Sequence, residues 1–331
     1  MGISVVAAAM ILHEHKYRPL HGTVLMIGRQ SVGLTGEQMD RLLDFHGVAK
    51  RPSVSYELDT VTVGVSRAEA YITQESFFAA FADVEVKSLD VSAYEQADIV
   101  CDLQQTLSED YFEYADFIFN GSCLDNIFDP AAAIRNISRL LRLGGRVYHF
   151  EQGNSHPTAY LKYSADWFMD YHALNNFEDC KTYIVDSPNS LGVPLIQKQQ
   201  VAAARRSKYD LIVYSFNPYV VHGHGSGFDC SSVEAFSRYE VHCIAEKGRA
   251  STCHRSPIQK HYRTDIEHQK ICTASAKRFL NSPRPTFTHN LPFEPDEIPR
   301  IDSSDYPEQM RPVAVFAPGY LPKRYPPNVS R

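Results

Sequence analysis

The sequence predicts an α/β fold built on a doubly wound, parallel sheet, and three observations predict it. Apolar runs of strand length alternate with helical patterns, which calls for a parallel sheet covered on both faces. The first strong run, Thr23-Val-Leu-Met-Ile-Gly28, is continuously apolar and ends at a glycine, as a central strand buried on both sides would. Residues 115–150 then read as a strand, a polar turn, an amphipathic helix, a glycine pair and a second buried strand. Open sheets of this kind bind ligands in the crevice beyond the carboxyl ends of their strands. The chemistry is therefore expected around Asn120 to Asn126 and around His149 to His156.

Each element has its own signal. Ser4 to His15 reads as an N-terminal helix packed on the domain, since its apolar run is too short to span a bilayer and lacks a basic leader. Thr35 suits the N-cap of a helix over Gly36 to His46, whose stripe of Met39, Leu42, Leu43 and Phe45 stops at Gly47. The β-branched alternation of Arg51 to Ala70 suggests an extended segment or a hairpin, and Thr73 to Ala82 a helix carrying Phe77, Phe78 and Phe81. Val84 to Asp90 and Ala97 to Leu103 read as strands, each with an acid at its end. Asp116 to Asn120, Pro130 to Arg142 and Arg146 to Glu151 continue as strand, helix and strand, with Gly144-Gly145 as the helix C-cap that reverses the chain. Ser164 suits the N-cap of a helix to about Asn176, followed by a strand at Lys181 to Val185. Beyond Asp186 the pattern loosens. Strands are expected at 210–216 and 239–246 around a Gly/His loop, then a helical region at 258–280, then a Pro-rich tail that is extended or partly disordered.

Composition narrows the function. A chain of 331 residues, 44% hydrophobic and 22% charged, is an ordinary soluble globular composition. A net charge of −6 supplies no global field toward nucleic acid or anionic lipid. Seven widely spaced cysteines without a Cys-x-x-Cys pair argue against a disulfide framework and a zinc ribbon, and point to a reducing, cytoplasmic setting. Cys101 and Cys123, in or next to strands, read as buried small hydrophobes. His222-Gly-His, His13/His15 and Cys253/His254 supply no ligand set of recognisable spacing, so no metal is expected.

In order, the strands resemble those of the class I, Rossmann-like S-adenosylmethionine-dependent methyltransferases. Val24 to Gly28 resembles that superfamily's first strand and glycine loop, Leu89-Asp90 its second-strand acid, and Ala97 to Leu103 its third strand. Tyr114 to Pro130 resembles the fourth-strand segment, and Ser138-Arg-Leu-Leu-Arg-Leu-Gly-Gly-Arg-Val147 the approach to the fifth. The likeness covers residues 20–186. It implies a seven-stranded, mostly parallel sheet with a C-terminal elaboration, and S-adenosyl-L-methionine as cofactor. The implied division is an N-terminal helix (1–20), a cofactor-binding core (21–186) with an insertion at about 48–72, a part completing the sheet and substrate pocket (187–280) and the tail (281–331). Three departures stand out. Gly28-Arg-Gln-Ser-Val-Gly33 keeps only part of the usual G-x-G-x-G, the first and second strands lie far apart, and Leu124-Asp-Asn126 replaces the usual Leu-Glu-His.

The resemblance implies cofactor contacts from Gly28, Arg29, Gln30, Asp90, Asp102, Leu103, Asn120, Gly121 and Ser122. Asp90 either accepts from ribose hydroxyls or caps a turn before Ser92; Asp102 either meets the adenine or caps the loop toward Gln104. Methyl transfer to oxygen also needs a base, and His149, Glu151 and His156 follow the fifth strand. The acceptor expected is a small molecule or glycan, O-methylated, with no nucleic acid or membrane partner; a homodimer is compatible. The rival reading is a catalytically silent module of the same fold. A slot plugged by the chain's own side chains, Arg29 or Gln30 for instance, would end the enzyme reading.

Overall fold

The computed structural model describes residues 2–62, 70–154, 159–191, 211–216, 237–259, 265–288 and 310–316. In chain order the strands are β1 (Gly2–Ile3), β2 (His21–Ile27), β3 (Ser31–Val32), β4 (Asp83–Asp90), β5 (Ile99–Val100), β6 (Ala115–Gly121), β7 (Leu141–Gln152), β8 (Asp179–Leu191), β9 (Leu211–Phe216), β10 (Ser237–Glu246) and β11 (Met310–Phe316). The helices are α1 (Val5–Tyr17), α2 (Gly36–His46), α3 (Gln74–Ala79), α4 (Pro130–Leu140), α5 (Ala165–Leu174) and α6 (Ile266–Leu280).

Among the described residues nine strands form one sheet in the order β11-β9-β8-β10-β7-β6-β2-β4-β5, and β1 pairs with β3 apart from it. From β5 to β7 all neighbours are parallel. From β7 outward every pairing is antiparallel. The sheet is thus mixed and nine-stranded, which corrects the expectation of seven mostly parallel strands. The added pair is β9 and β11, and β11 comes from the Pro-rich tail, where Pro312 coincides with a break in register.

Both faces are covered. Val24, Met26, Phe117, Phe119 and Tyr148 pack with α1, α2 and α3, while Leu25, Ile27, Ile118, Val147 and Ile184 pack with α4, α5 and α6. Alternation along each strand sends neighbours to opposite faces, and both faces being apolar explains the unbroken hydrophobic runs. Helix starts follow the sequence signals. Thr35 and Gln38 form a reciprocal capping box, and Ser164 accepts from the Trp167 N–H.

Other expectations change. Residues 97–103 contribute only the two-residue edge strand β5. Gly144-Gly145 is not a helix C-cap, because α4 ends at Leu140 and β7 starts directly. Ala115 pairs with Leu141 but Phe117 with Arg146, so the glycines lie where β7 carries extra residues. A Cβ on Gly145 would stand 3.0 Å from the Asp116 carbonyl oxygen, and Gly144 takes φ +77°. Of the segment Arg51 to Ala70, residues 63–69 lie outside the described residues, and the part before them is tied by a single bridge, Leu58 to Ile72, beside Thr35 to Tyr71. Of the tail, Arg284 and Phe287 are buried in the core. The Gly/His loop at 221–227 and the basic cluster at 205–208 lie outside the described residues.

Candidate functional site

The chain runs outward from β2 to β4 and β5, then returns to β6 on the other side of β2. The β2–β6 junction is therefore the switch point at which open sheets part their loops and leave a crevice. Four segments end there: Gly28 after β2, Asp90 at the end of β4, Asn120-Gly121-Ser122 at the end of β6, and His149 to Gln152 in β7.

Gly28 takes φ +71°, and its N–H donates to the Leu89 carbonyl at 2.7 Å. A Cβ there would stand 3.6 Å from both Asp90 Oδ2 and Gln30 Nε2. The bare glycine thus leaves the Asp90 carboxylate facing open backbone. Asp90 Oδ1 accepts from the Ser92 N–H at 3.1 Å. Its turn-capping role and a free second oxygen coexist.

Arg29 and Gln30 part company. Arg29 reaches toward α3, with Nη2 3.4 Å from Glu75 Oε2. Gln30 is buried and folds back: its N–H donates to Gln74 Oε1 at 2.9 Å and its Nε2 to the Ile27 carbonyl at 2.7 Å. Its Oε1 has no partner, and a Cβ on Gly121 would lie 2.5 Å from it. Gln30 therefore stands between the two glycines and narrows the slot at its β2–β6 end.

Asn120 is wholly buried. Its Nδ2 donates to Glu151 Oε1 at 2.5 Å and lies 3.2 Å from His149 Nδ1, and its Oδ1 has no partner. Ser122 holds φ +61°, donates its N–H to the Phe150 carbonyl and its hydroxyl to Asp125 Oδ2. A left-handed serine at a strand end is strained backbone, of a kind that gathers at ligand sites.

The base candidates separate. Glu151 is buried and accepts from Asn120 and from the N–H groups of Leu124 (3.1 Å) and Asp125 (3.0 Å), pinning the turn after β6. Burial and the Asp125 carboxylate push its carboxyl well up, against the pull of those donors. His149 lies inside the core, stacked on Phe168 with ring centroids 5.1 Å apart. Burial and His172 hold it well below the ordinary imidazole range. His156 lies outside the described residues.

On the β5 side, Asp102 accepts from the Gln104 N–H at 2.9 Å and from the Gln104 and Gln105 side chains, which lower its carboxyl. Leu103 is part of the core. Cys101 and Cys123 pack against the core but keep some exposure, so neither residue is fully buried as expected. The Cys123 thiol is pushed up to about 12 by burial and by Glu151, Asp90 and Asp125, so it stays protonated. Gln74 is absent from the sequence expectations, and Asp125 enters them only within Leu124-Asp-Asn126. Their only signals were a place in the first turn of α3 and a place three residues after Ser122.

A cavity of about 230 Å³ opens at the opposite, amino end of β2 and β6, beside Arg18, His21, Asp116 and Gly145. Its charges are already paired, Arg142 with Asp116 and Arg18 with Glu246. Among the described residues no helix is long and apolar enough to cross a membrane.

No family model and no curated protein matches the chain. Among solved structures it is similar to Haemonchus contortus phosphoethanolamine N-methyltransferase 2 in complex with S-adenosyl-L-methionine (14% identity, 73% of this chain and 52% of that chain, TM-score 0.35). It is also similar to the O-methyltransferase of a Brevibacillus brevis trans-AT PKS multienzyme in complex with S-adenosyl-L-homocysteine (11%, 84% and 78%, 0.36). A third is a SAM-dependent methyltransferase from Archaeoglobus fulgidus (9%, 74% and 95%, 0.34). The chain spans about half the length of the first structures matched, 53% and 52%. These likenesses are too distant to carry an argument about function.

Proposed function

We propose that the crevice binds S-adenosyl-L-methionine and that the protein is a methyltransferase acting on a small-molecule or glycan acceptor, with oxygen as the methylated atom. The observation that carries this reading is the Asp90 carboxylate set against the bare, left-handed Gly28 at the sheet's switch point. A carboxylate at such a strand end suits the paired hydroxyls of a ribose, and the glycine lets the ligand approach the backbone. The residues present fit the rest of the cofactor. Two buried carbonyl oxygens, Gln30 Oε1 and Asn120 Oδ1, lack donors at the β2–β6 end, and an ammonium group would satisfy such acceptors. Without β9 and β11 the sheet is β5-β4-β2-β6-β7-β10-β8, in which only β10 runs against the rest, the seven-stranded form the resemblance implies.

The cofactor when bound supplies an electrophilic methyl on sulfonium. Asp90 and Gly28 would hold its nucleoside, and Gln30 and Asn120 its amino acid part. Glu151 keeps the turn at Ser122 to Asn126 in place. With His149 and Glu151 held in the core, His156 is the proposed base.

One specific observation favours the second reading, a silent module of the same fold: Gln30 occupies space between Gly28 and Gly121. Thermal stability measured against S-adenosylhomocysteine, with NAD as the control nucleotide, separates the two. A ligand at 100 times its Kd adds about 2.7 kcal/mol. Stabilisation by the first alone, weakened at least tenfold in Asp90→Ala, is the expected result. No response to either compound would leave the silent module standing.

A further inference from the structure

On the face of the sheet that α5 covers, three side chains from three elements converge. Cys180 of β8 and Cys243 of β10 have their Sγ atoms 3.5 Å apart. His172 of α5 brings Nδ1 to 3.9 Å from Cys243 Sγ, and one ligand atom from each of the three falls within 4.8 Å of the others. We propose that His172, Cys180 and Cys243 form a binding site for a thiophilic d10 cation, Zn2+ or Cu+, that ties β8 and β10 to α5.

The spacing is that of a coordination shell. Metal–sulfur bonds of about 2.3 Å and metal–nitrogen bonds of about 2.0–2.1 Å in a tetrahedron put sulfur atoms about 3.8 Å apart and sulfur and nitrogen about 3.6 Å apart. The sulfur–sulfur separation found, 3.5 Å, is close to the first of those edges. All three residues are buried. The His172 tautomer is set as a ligand's would be: Nδ1 donates to the Phe168 carbonyl at 2.9 Å, leaving Nε2 without a partner. A bare imidazole nitrogen in a sealed core is costly unless something occupies it. His149 stands directly across from Cys243 in the β7–β10 register, its ring centroid 5.8 Å from that of His172, and its Nε2 is bare as well. It is the side chain within reach of a fourth position.

Binding releases the protons of the two thiols as their sulfurs take the metal.

The test is metal analysis of the full chain. Protein purified under reducing conditions, stripped with a chelator and reloaded with Zn2+, Cu+ or Co2+ is expected to hold about one equivalent of metal per chain. Co2+ should give sulfur-to-metal charge-transfer absorption, which needs no variant and reports thiolate ligation directly. Retention of Zn2+ or of Cu+ after competition with a thiol chelator identifies the ion. Cys180→Ala and Cys243→Ala should each lower the metal content at least tenfold, whereas Cys253→Ala should leave it unchanged. Absence of stoichiometric metal and of the cobalt band overturns the proposal. So does full metal content in the Cys180→Ala/Cys243→Ala variant, or a Cys180–Cys243 disulfide in protein kept reduced.

Discussion

Gly121 shows how one missing side chain can shape the crevice. A Cβ there would meet Gln30 Oε1 at 2.5 Å and Phe119 Cε1 at 2.6 Å, both within van der Waals radii. Gly121→Ala is therefore expected to cost about 1–3 kcal/mol through overpacking. Part of that should return in Gly121→Ala/Gln30→Ala, because the amide is one of the two obstructions. A double-mutant cycle by urea denaturation measures the coupling, and strict additivity would remove Gln30 from contact with Gly121. The same cycle bears on function. If Gln30 only narrows the slot, Gln30→Ala should improve S-adenosylhomocysteine binding; if its bare Oε1 receives the ligand's ammonium, the substitution should weaken it. At this scale the sequence names Asn120, His149 and Glu151, and the structure buries all three. Asn120, His149 and Glu151 alternate onto the α5 face, and strand alternation alone could have placed them together. What it could not supply was the long-range pairing that makes His149 face Cys243.

Helix α1 makes the case for whole elements. It carries apolar residues on all sides, and residues Val5 to Leu12 are buried because α2, the sheet and the tail enclose it. Its one buried acid, Glu14, pairs with Arg146 at 2.9 Å and Arg284 at 3.2 Å, and Arg284 also binds Asp179 at 2.5 Å. Burial alone would raise the Glu14 carboxyl, but the Arg284 and Arg146 guanidiniums outweigh it and hold it below the ordinary value. A depressed acid contributes stability that is present above the unfolded pKa, about 4.3, and lost as pH falls through the folded one. Melting temperature should therefore drop steeply below about pH 4 in the parent. Glu14→Gln should be less stable by about 3–5 kcal/mol at neutral pH, where two guanidiniums lose their partner, and should lose this part of the acid limb. An unchanged acid profile in that variant would assign the acid sensitivity to other carboxylates. Local signals sufficed where an element is defined by its own residues: the Gly28 strand end, the Thr35 and Ser164 caps and the run from β6 through α4 to β7. They failed where a partner defines it. Ile99–Val100 pairs with β4 only briefly, and Gly144-Gly145 serves a bulge because β7 is longer than the stretch of β6 it faces.

Across the molecule, the last described stretches of chain close the fold in two physically different ways. Arg284 and Phe287 plug the core: Arg284 joins α1, β8 and the Ile244 carbonyl of β10, and the Phe287 N–H donates to the Tyr183 hydroxyl. β11 instead covers the edge of β9, so that β9 does not present a bare ladder. Removing the two should have different consequences. A chain ending at residue 288 keeps the plug and loses the edge strand, so it should unfold cooperatively with a lower midpoint and self-associate through β9. A chain ending at residue 281 strands Glu14 and Asp179 in the core without their shared cation, a loss on the order of 3–5 kcal/mol on top of the buried Phe287. Against a total stability of about 5–15 kcal/mol, that should remove the folded state at moderate temperature. Urea denaturation and light scattering on the two truncations give the comparison. Equal stability of both would mean that the Arg284 network contributes nothing net, and that the nine-stranded sheet is held by its strand pairing alone.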